Sequence, residues 1–360
     1  MKSLFVSLFA VLGFAVSAQA VTRAEVIQNV SYNVILKTYA DFQQKSQELK
    51  ASVDTLIAQP TQKNLEAAQS AWRAARYSYE VSEGFLFGPM DSLGIDPMID
   101  TWPLALTDLK KILSSNYEIN TEFVRGLPSE VQGFHAIEYF LFGEGITSNT
   151  RSVGTIKPRE FAYLQAATEL LNEQVALLIY SWTTHHDPED TSSVGYYYLI
   201  SQPGASNPFY TSEEAVMAEF GNGIVGILAE ASGAKLPDAT GETPEDANAR
   251  LEESPFSWNS LNDYMSNVDS IYNVYTGTFG GIGNGPGLKA LVAQQNPVLA
   301  EQVEVQILLC RQKIADIAGP QGISFGRAIK TPDGRVRIFA AIAELKKLED
   351  MFTNQVNPLL

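Results

Sequence analysis

Phe161, Leu164, Leu171, Val175, Leu178 and Trp182 recur at steps of three, four or seven in a segment that opens near Pro158. That spacing puts them on one face of a long helix. Val303, Ile307, Cys310, Ile314 and Ile317 form a second stripe, and Ile338, Ile342, Leu345, Leu348 and Phe352 a third, after the Pro332-Asp333-Gly334 turn. The same periodicity predicts helices near 23–57, 62–87, 129–142, 211–231 and 259–275. Strand-like alternation is confined to a short run, Val194 to Ile200. The expected fold class is all-α, because long helices with apolar stripes bury them most simply against one another in bundles.

Two stretches break the helical pattern: His185 to Asn207, rich in Asp, Ser, Gly and Pro, and residues 232–255, SGAKLPDATGETPEDANARLEESP, the latter with few apolar side chains. At 360 residues the chain exceeds the size at which one core usually stops growing, so two lobes are expected. We place them at 21–205 and 206–360. TGTFGGIGNGPG, residues 276–287, lacks the preceding strand and the Lys-Ser/Thr of a phosphate loop and reads as a connector.

The first twenty residues, MKSLFVSLFAVLGFAVSAQA, carry Lys2, an apolar run from Leu4 to Val16, and small residues at Ala18 and Ala20. This is the pattern of an export signal cleaved after Ala20, and the run is shorter than the ~20 residues of a membrane span. A protein in the periplasm or cell envelope, free or associated with the outer membrane, is expected. With 41 acidic and 25 basic residues and no basic run, the field around the chain repels nucleic acid and anionic lipid, and no nucleic-acid partner is expected. The single Cys310 excludes an intrachain disulfide and sits where a packed core thiol would.

Candidate chemistry centres on GFHAIEYFLFG, residues 133–143. Ser129 and Gln132 suggest a capping box and Gly143 a stop, so His135 and Glu138 share a face of an apolar helix over 130–142. They are either metal ligands or a hydrogen-bonded core pair. H-E-x-x-H is absent. Upstream, AWRAARYSYEVSEGFLFGPMDSLGIDPMIDTWP, residues 71–103, places Arg76, Glu80 and Glu83 at helical spacing, followed by Asp96 and Asp100. Arg76 and Glu80 read most simply as an ion pair on a solvated face, and Asp96 as a turn residue. Brought near His135 and Glu138, however, Glu83, Asp96 and Asp100 would complete a nitrogen-and-carboxylate donor set suited to iron, zinc or manganese. His185 and His186 read as surface residues past a helix end.

The G-F-H-A-I-E stretch matches the G-x-H-x-x-E signature of imelysin-like proteins, and W-R-A-A-R-Y-S-Y-E, F-L-F-G-P and D-P-M-I-D-T-W-P resemble the segment preceding it in that family. PFSWNSLNDYMSNVDSIYNVYTG, residues 255–277, is similar to the family's second-lobe segment. The resemblance implies an exported protein of two helical bundles with the signature near the cleft, and relatives that include iron-regulated proteins, a periplasmic ferrous-iron uptake component and a metallopeptidase. By position it implies His135 and Glu138 as a ligand pair and Gly133 as a point of close helix approach. It further implies Arg76, Glu80, Glu83, Asp96 and Asp100 as polar site positions, with Ser257, Asn259 and Asp263 as second-lobe candidates.

The expected function is therefore metal binding in iron or other divalent-metal uptake or homeostasis, with a divalent or ferric ion as cofactor or cargo and an inner- or outer-membrane transport component as a further partner. A metallopeptidase is the alternative, weakened by a single well-placed histidine. A module binding a peptide or polysaccharide is the second alternative.

Overall fold

The computed structural model describes residues 20–283 and 285–360; the export-signal reading of residues 1–20 lies outside them except for Ala20. Eight helices of ten residues or more carry the fold: α1 (Lys37–Ala58), α2 (Gln62–Glu80), α3 (Gly133–Phe142), α4 (Pro158–Thr183), α5 (Glu213–Glu230), α6 (Ser260–Thr276), α7 (Pro297–Asp316) and α8 (Pro332–Met351). Their starts follow from local chemistry. Thr61, Ser212, Asn296 and Thr331 each accept a hydrogen bond from a first-turn amide, and Pro297 and Pro332 occupy first positions where no amide is needed. Gly277, in the left-handed region at φ 75°, ends α6.

The expected stripes are the buried ones. Leu164, Leu171, Val175, Leu178 and Trp182 of α4, the α7 set including Cys310, and Ile338, Leu345, Leu348 and Phe352 near α8 all lie in the core. Each such side chain contributes roughly 1.5–3 kcal/mol by leaving water. The helix expected at 23–57 is interrupted by a π segment, Val30–Leu36, and α5 likewise runs on into a π segment, Ala231–Lys235.

One local expectation fails: Val194 to Ile200 is no strand, because Tyr196–Ser201 forms a short helix whose Tyr196 packs edge-on against Trp182. Among the described residues the strand pairing lies within the 276–287 connector, Thr278–Phe279 antiparallel to Ile282–Gly283.

α1 packs against α2 and α4, and α3 lies on α2 and α4. In the second half α7 pairs with α8, α6 packs on α7, and α5 on α8. The N-terminal helix Arg23–Asn29 lies against α5: Arg23 pairs with Glu214 at 2.7 Å and donates to the carbonyl of Leu360, while Asn29 donates to Gly277 and Pro286 carbonyls. The two halves meet where α2 faces α6, and the candidate site lies at that junction.

Candidate metal centre

The signature helix begins later than the capping-box reading expects. Ser129–Val131 is a 3-10 turn, Gln132 spends its amide on the Leu127 carbonyl, and α3 opens at Gly133 with φ 65°. Gly133 is therefore the first residue of the helix and not an interior one. A Cβ there would lie 2.2 Å from the carbonyl oxygen of Ile99, so the backbone of a short helix, Ile95–Asp100, runs directly against it. That close approach brings Asp100 to His135.

All ten residues of α3 are buried. His135 Nδ1 lies 3.4 Å from Glu138 Oε2, and His135 Nε2 lies 3.3 Å from Asp100 Oδ1 without hydrogen-bond alignment, leaving a buried nitrogen unsatisfied. Glu138 turns its other oxygen away, accepting from the backbone amides of Phe256 (3.1 Å) and Ser257 (2.7 Å). It thus anchors the imidazole and a strap from the second half with one carboxylate. Burial pushes the His135 pKa down, but the negative carboxylates of Asp100 and Glu138 beside its two ring nitrogens outweigh it and raise the value to about 9.

Arg76 and Glu80 do pair, at 2.5 Å, but the expected solvated face is wrong: both side chains are fully buried. The reason is the second half, which covers that face of α2. The Arg76 guanidinium also binds Asp100, meets Glu253 at 2.7 Å and lies 3.8 Å from Asp263. Asn267 of α6 donates to Glu80 at 2.5 Å, and Asn259 donates to Asp263 at 2.6 Å. Ser257 and Asn259 are tied to Arg73 through the Ser257 carbonyl (2.8 Å) and the Asn259 side chain (2.7 Å).

Two groups of donor atoms converge. Asp100, His135 and Glu253 each offer an atom within 4.8 Å of the others, as do Glu80, Glu83 and Asp100. Asp100 belongs to both. Glu138 stands behind His135 in neither group, and Asp96 is held apart by a hydrogen bond from Tyr79.

Sequence reasoning missed Glu253 and Lys235, both in the apolar-poor stretch 232–255. Lys235 reaches the centre because the π segment ending α5 turns it inward, 3.3 Å from Glu83 and 3.2 Å from Glu253. The adjacent acids Glu252-Glu253 ahead of Pro255 were the available signal.

The acids outnumber Arg76, Lys235 and His135, and burial without full compensation shows in their titration. Burial raises Glu83 to about 8, and Asp96 and Asp263 to about 6. Asp100 is the exception: burial would raise it, but Arg76 and then His135 hold it at about 2. Surplus buried carboxylates beside an unsatisfied imidazole nitrogen fit a hard or borderline cation. A cavity of about 340 Å³ with His135 in its wall, between Trp102, Leu104, Leu106, Leu251 and Phe256, gives access.

Comparison with known proteins agrees with this architecture. The chain is 30% identical over 343 residues to iron-regulated protein A of Synechococcus elongatus, covering 95% of this chain and 88% of that one. A crystal structure described as an iron-regulated protein A precursor from Parabacteroides distasonis superposes with a TM-score of 0.81 at 26% identity, over 94% of this chain and 97% of that one. An imelysin-like protein from Psychrobacter arcticum shares the fold, with a TM-score of 0.69 at 13% identity over 95% and 97% of the two chains. The imelysin (peptidase M75) family pattern matches residues 35–351, and the chain belongs to the imelysin family.

Proposed function

We propose that the protein captures a transition-metal ion, iron foremost, as cargo, and does so outside the cytoplasm. The observation that carries this reading is the buried Nε2 of His135, without a hydrogen bond and within ligand range of Asp100 and Glu253. His135, Asp100 and Glu253 are the proposed ligands. Glu138 orients the imidazole from behind, as carboxylates commonly do for metal-binding histidines. Glu80 and Glu83 supply further oxygen donors. Asp96, an expected ligand, becomes an outer hydrogen-bonding position.

Iron regulation in the name of the Synechococcus relative supports the choice of metal. Export is supported by the leader pattern, and no helix among the described residues is long and apolar enough to cross a membrane. Delivery to a membrane transport component is the proposed next step. Peptide hydrolysis is the weaker reading, since one imidazole serves the centre and Glu138, a candidate base, already accepts two backbone amides.

Metal content and equilibrium titration of chelator-treated protein test the proposal. One iron or zinc ion per chain is expected, weakened at least tenfold in His135→Ala and in Glu253→Gln. Equal affinity in wild type and both variants would remove it.

A further inference from the structure

A second cavity, of about 330 Å³, shares Arg250 and Pro255 with the His135 vestibule and otherwise has its own walls. In a chain with 41 acidic and 25 basic residues, three cations line it: Arg250, Arg327 and Lys330. Its two carboxylates are already engaged. Glu144 is held by Lys110 at 2.7 Å and Arg250 at 3.2 Å, and Glu252 accepts from Ser260 Oγ at 2.8 Å and the Gly326 amide at 3.1 Å.

Of the three only Arg250 is in an ion pair among the described residues, and the Arg327 guanidinium lies over the Trp258 indole, 4.4 Å from the ring centroid. Stacking on an indole leaves the in-plane N–H groups free for an acceptor. Lys330 donates to the Ala247 carbonyl, which leaves further ammonium protons.

Trp258 itself is held in an unfavourable backbone conformation. At φ 59° it is the one non-glycine residue in the left-handed region among the described residues, and strain of that kind persists where the surroundings impose it. Here its indole N–H donates to the Gly145 carbonyl at 2.6 Å, while the strap just before it is pinned by Glu138 through the Phe256 and Ser257 amides. The carboxylate that orients His135 therefore also fixes the platform under Arg327.

We propose that this cavity binds a small oxyanion carrying two or more negative charges, with an oligocarboxylate as its class. Planar guanidinium forks match carboxylate geometry, and the volume far exceeds the 10–15 Å³ or so that one water needs, leaving room for more than a single tetrahedral anion. The site stands apart from the metal reading, because its cations are complete without an ion at His135.

The test is calorimetric titration of the chelator-treated full-length protein, at fixed ionic strength, with citrate and, separately, inorganic phosphate. One citrate per chain is expected, at least tenfold weaker in Arg327→Gln and Lys330→Gln, both exposed positions, with melting curves confirming that each variant is folded, and unaltered in Lys346→Gln, which lines neither cavity. No saturable citrate binding, or equal affinity in Arg327→Gln, overturns the proposal. Stoichiometric phosphate binding that citrate fails to displace overturns the oligocarboxylate assignment. Citrate binding that survives His135→Ala while metal binding is lost separates this site from the metal centre.

Discussion

Glu138 divides its two oxygens between the His135 imidazole and the amides of Phe256 and Ser257, so one carboxylate sets both the ring's orientation and the junction of the two halves. Replacing it by alanine leaves two buried amides unpaired. Glu138→Ala should lower stability by about 2–4 kcal/mol in urea unfolding, and Glu138→Gln, which keeps one acceptor, by less than half as much. Arg76 is the internal counter-charge of Glu80, Asp100 and Glu253. Arg76→Met should destabilise the metal-free protein by roughly 3–5 kcal/mol, since it strands buried carboxylates. Excess zinc should restore part of the lost melting temperature, by neutralising the same oxygens. No recovery with metal would mean that the ion does not share Arg76's partners.

At the scale of elements, the junction of Ile95–Asp100 with the start of α3 decides whether the centre assembles. Gly133→Ala must place a Cβ against the Ile99 carbonyl at a positive φ, and should cost about 2–4 kcal/mol, read by thermal or urea unfolding. A neutral result would show that the two segments do not approach so closely. The helices themselves were legible because their apolar stripes face a continuous core and their caps are local. The tenancy of the site was less so. Arg76 and Glu80 look like an ordinary surface pair until α6 covers them, and nothing in their spacing reports a neighbour nearly two hundred positions away. Lys235 and Glu253 lie in the apolar-poor stretch that breaks the helical pattern, and a π turn, which leaves no periodic trace, aims Lys235 inward. His135 was legible as an isolated imidazole in an apolar helix. Its unsatisfied nitrogen needed the fold.

For the whole molecule, the surplus of buried acid makes stability depend on pH. Glu83, Asp96 and Asp263 have folded pKa values raised by burial to about 8, 6 and 6, above their ordinary 4.5, 3.8 and 3.8. Between those limits the folded state holds more protons than the unfolded chain, so stability falls as pH rises. His135, raised from 6.5 to about 9, acts in the same direction and loses its contribution as pH passes 9. Asp100, lowered from 3.8 to about 2, acts oppositely, and its contribution is lost as pH falls below about 4 toward 2. The metal-free protein should therefore melt at its highest temperature near pH 5 and lose stability by pH 8.5. Added metal should stabilise more at pH 8 than at pH 5.5, because His135, raised to about 9, and Glu83, raised to about 8, must give up their protons before they can bind it. Equal metal-induced shifts at both values would contradict that arrangement.

The most direct measurement is anomalous diffraction at the iron or zinc absorption edge, on crystals soaked in the metal. A single peak about 2.0–2.3 Å from His135 Nε2, with an oxygen of Asp100 or Glu253 at similar range, is the predicted result. A peak elsewhere, with the 135–100–253 cluster unaltered and empty, would contradict the assignment of this junction as the metal centre.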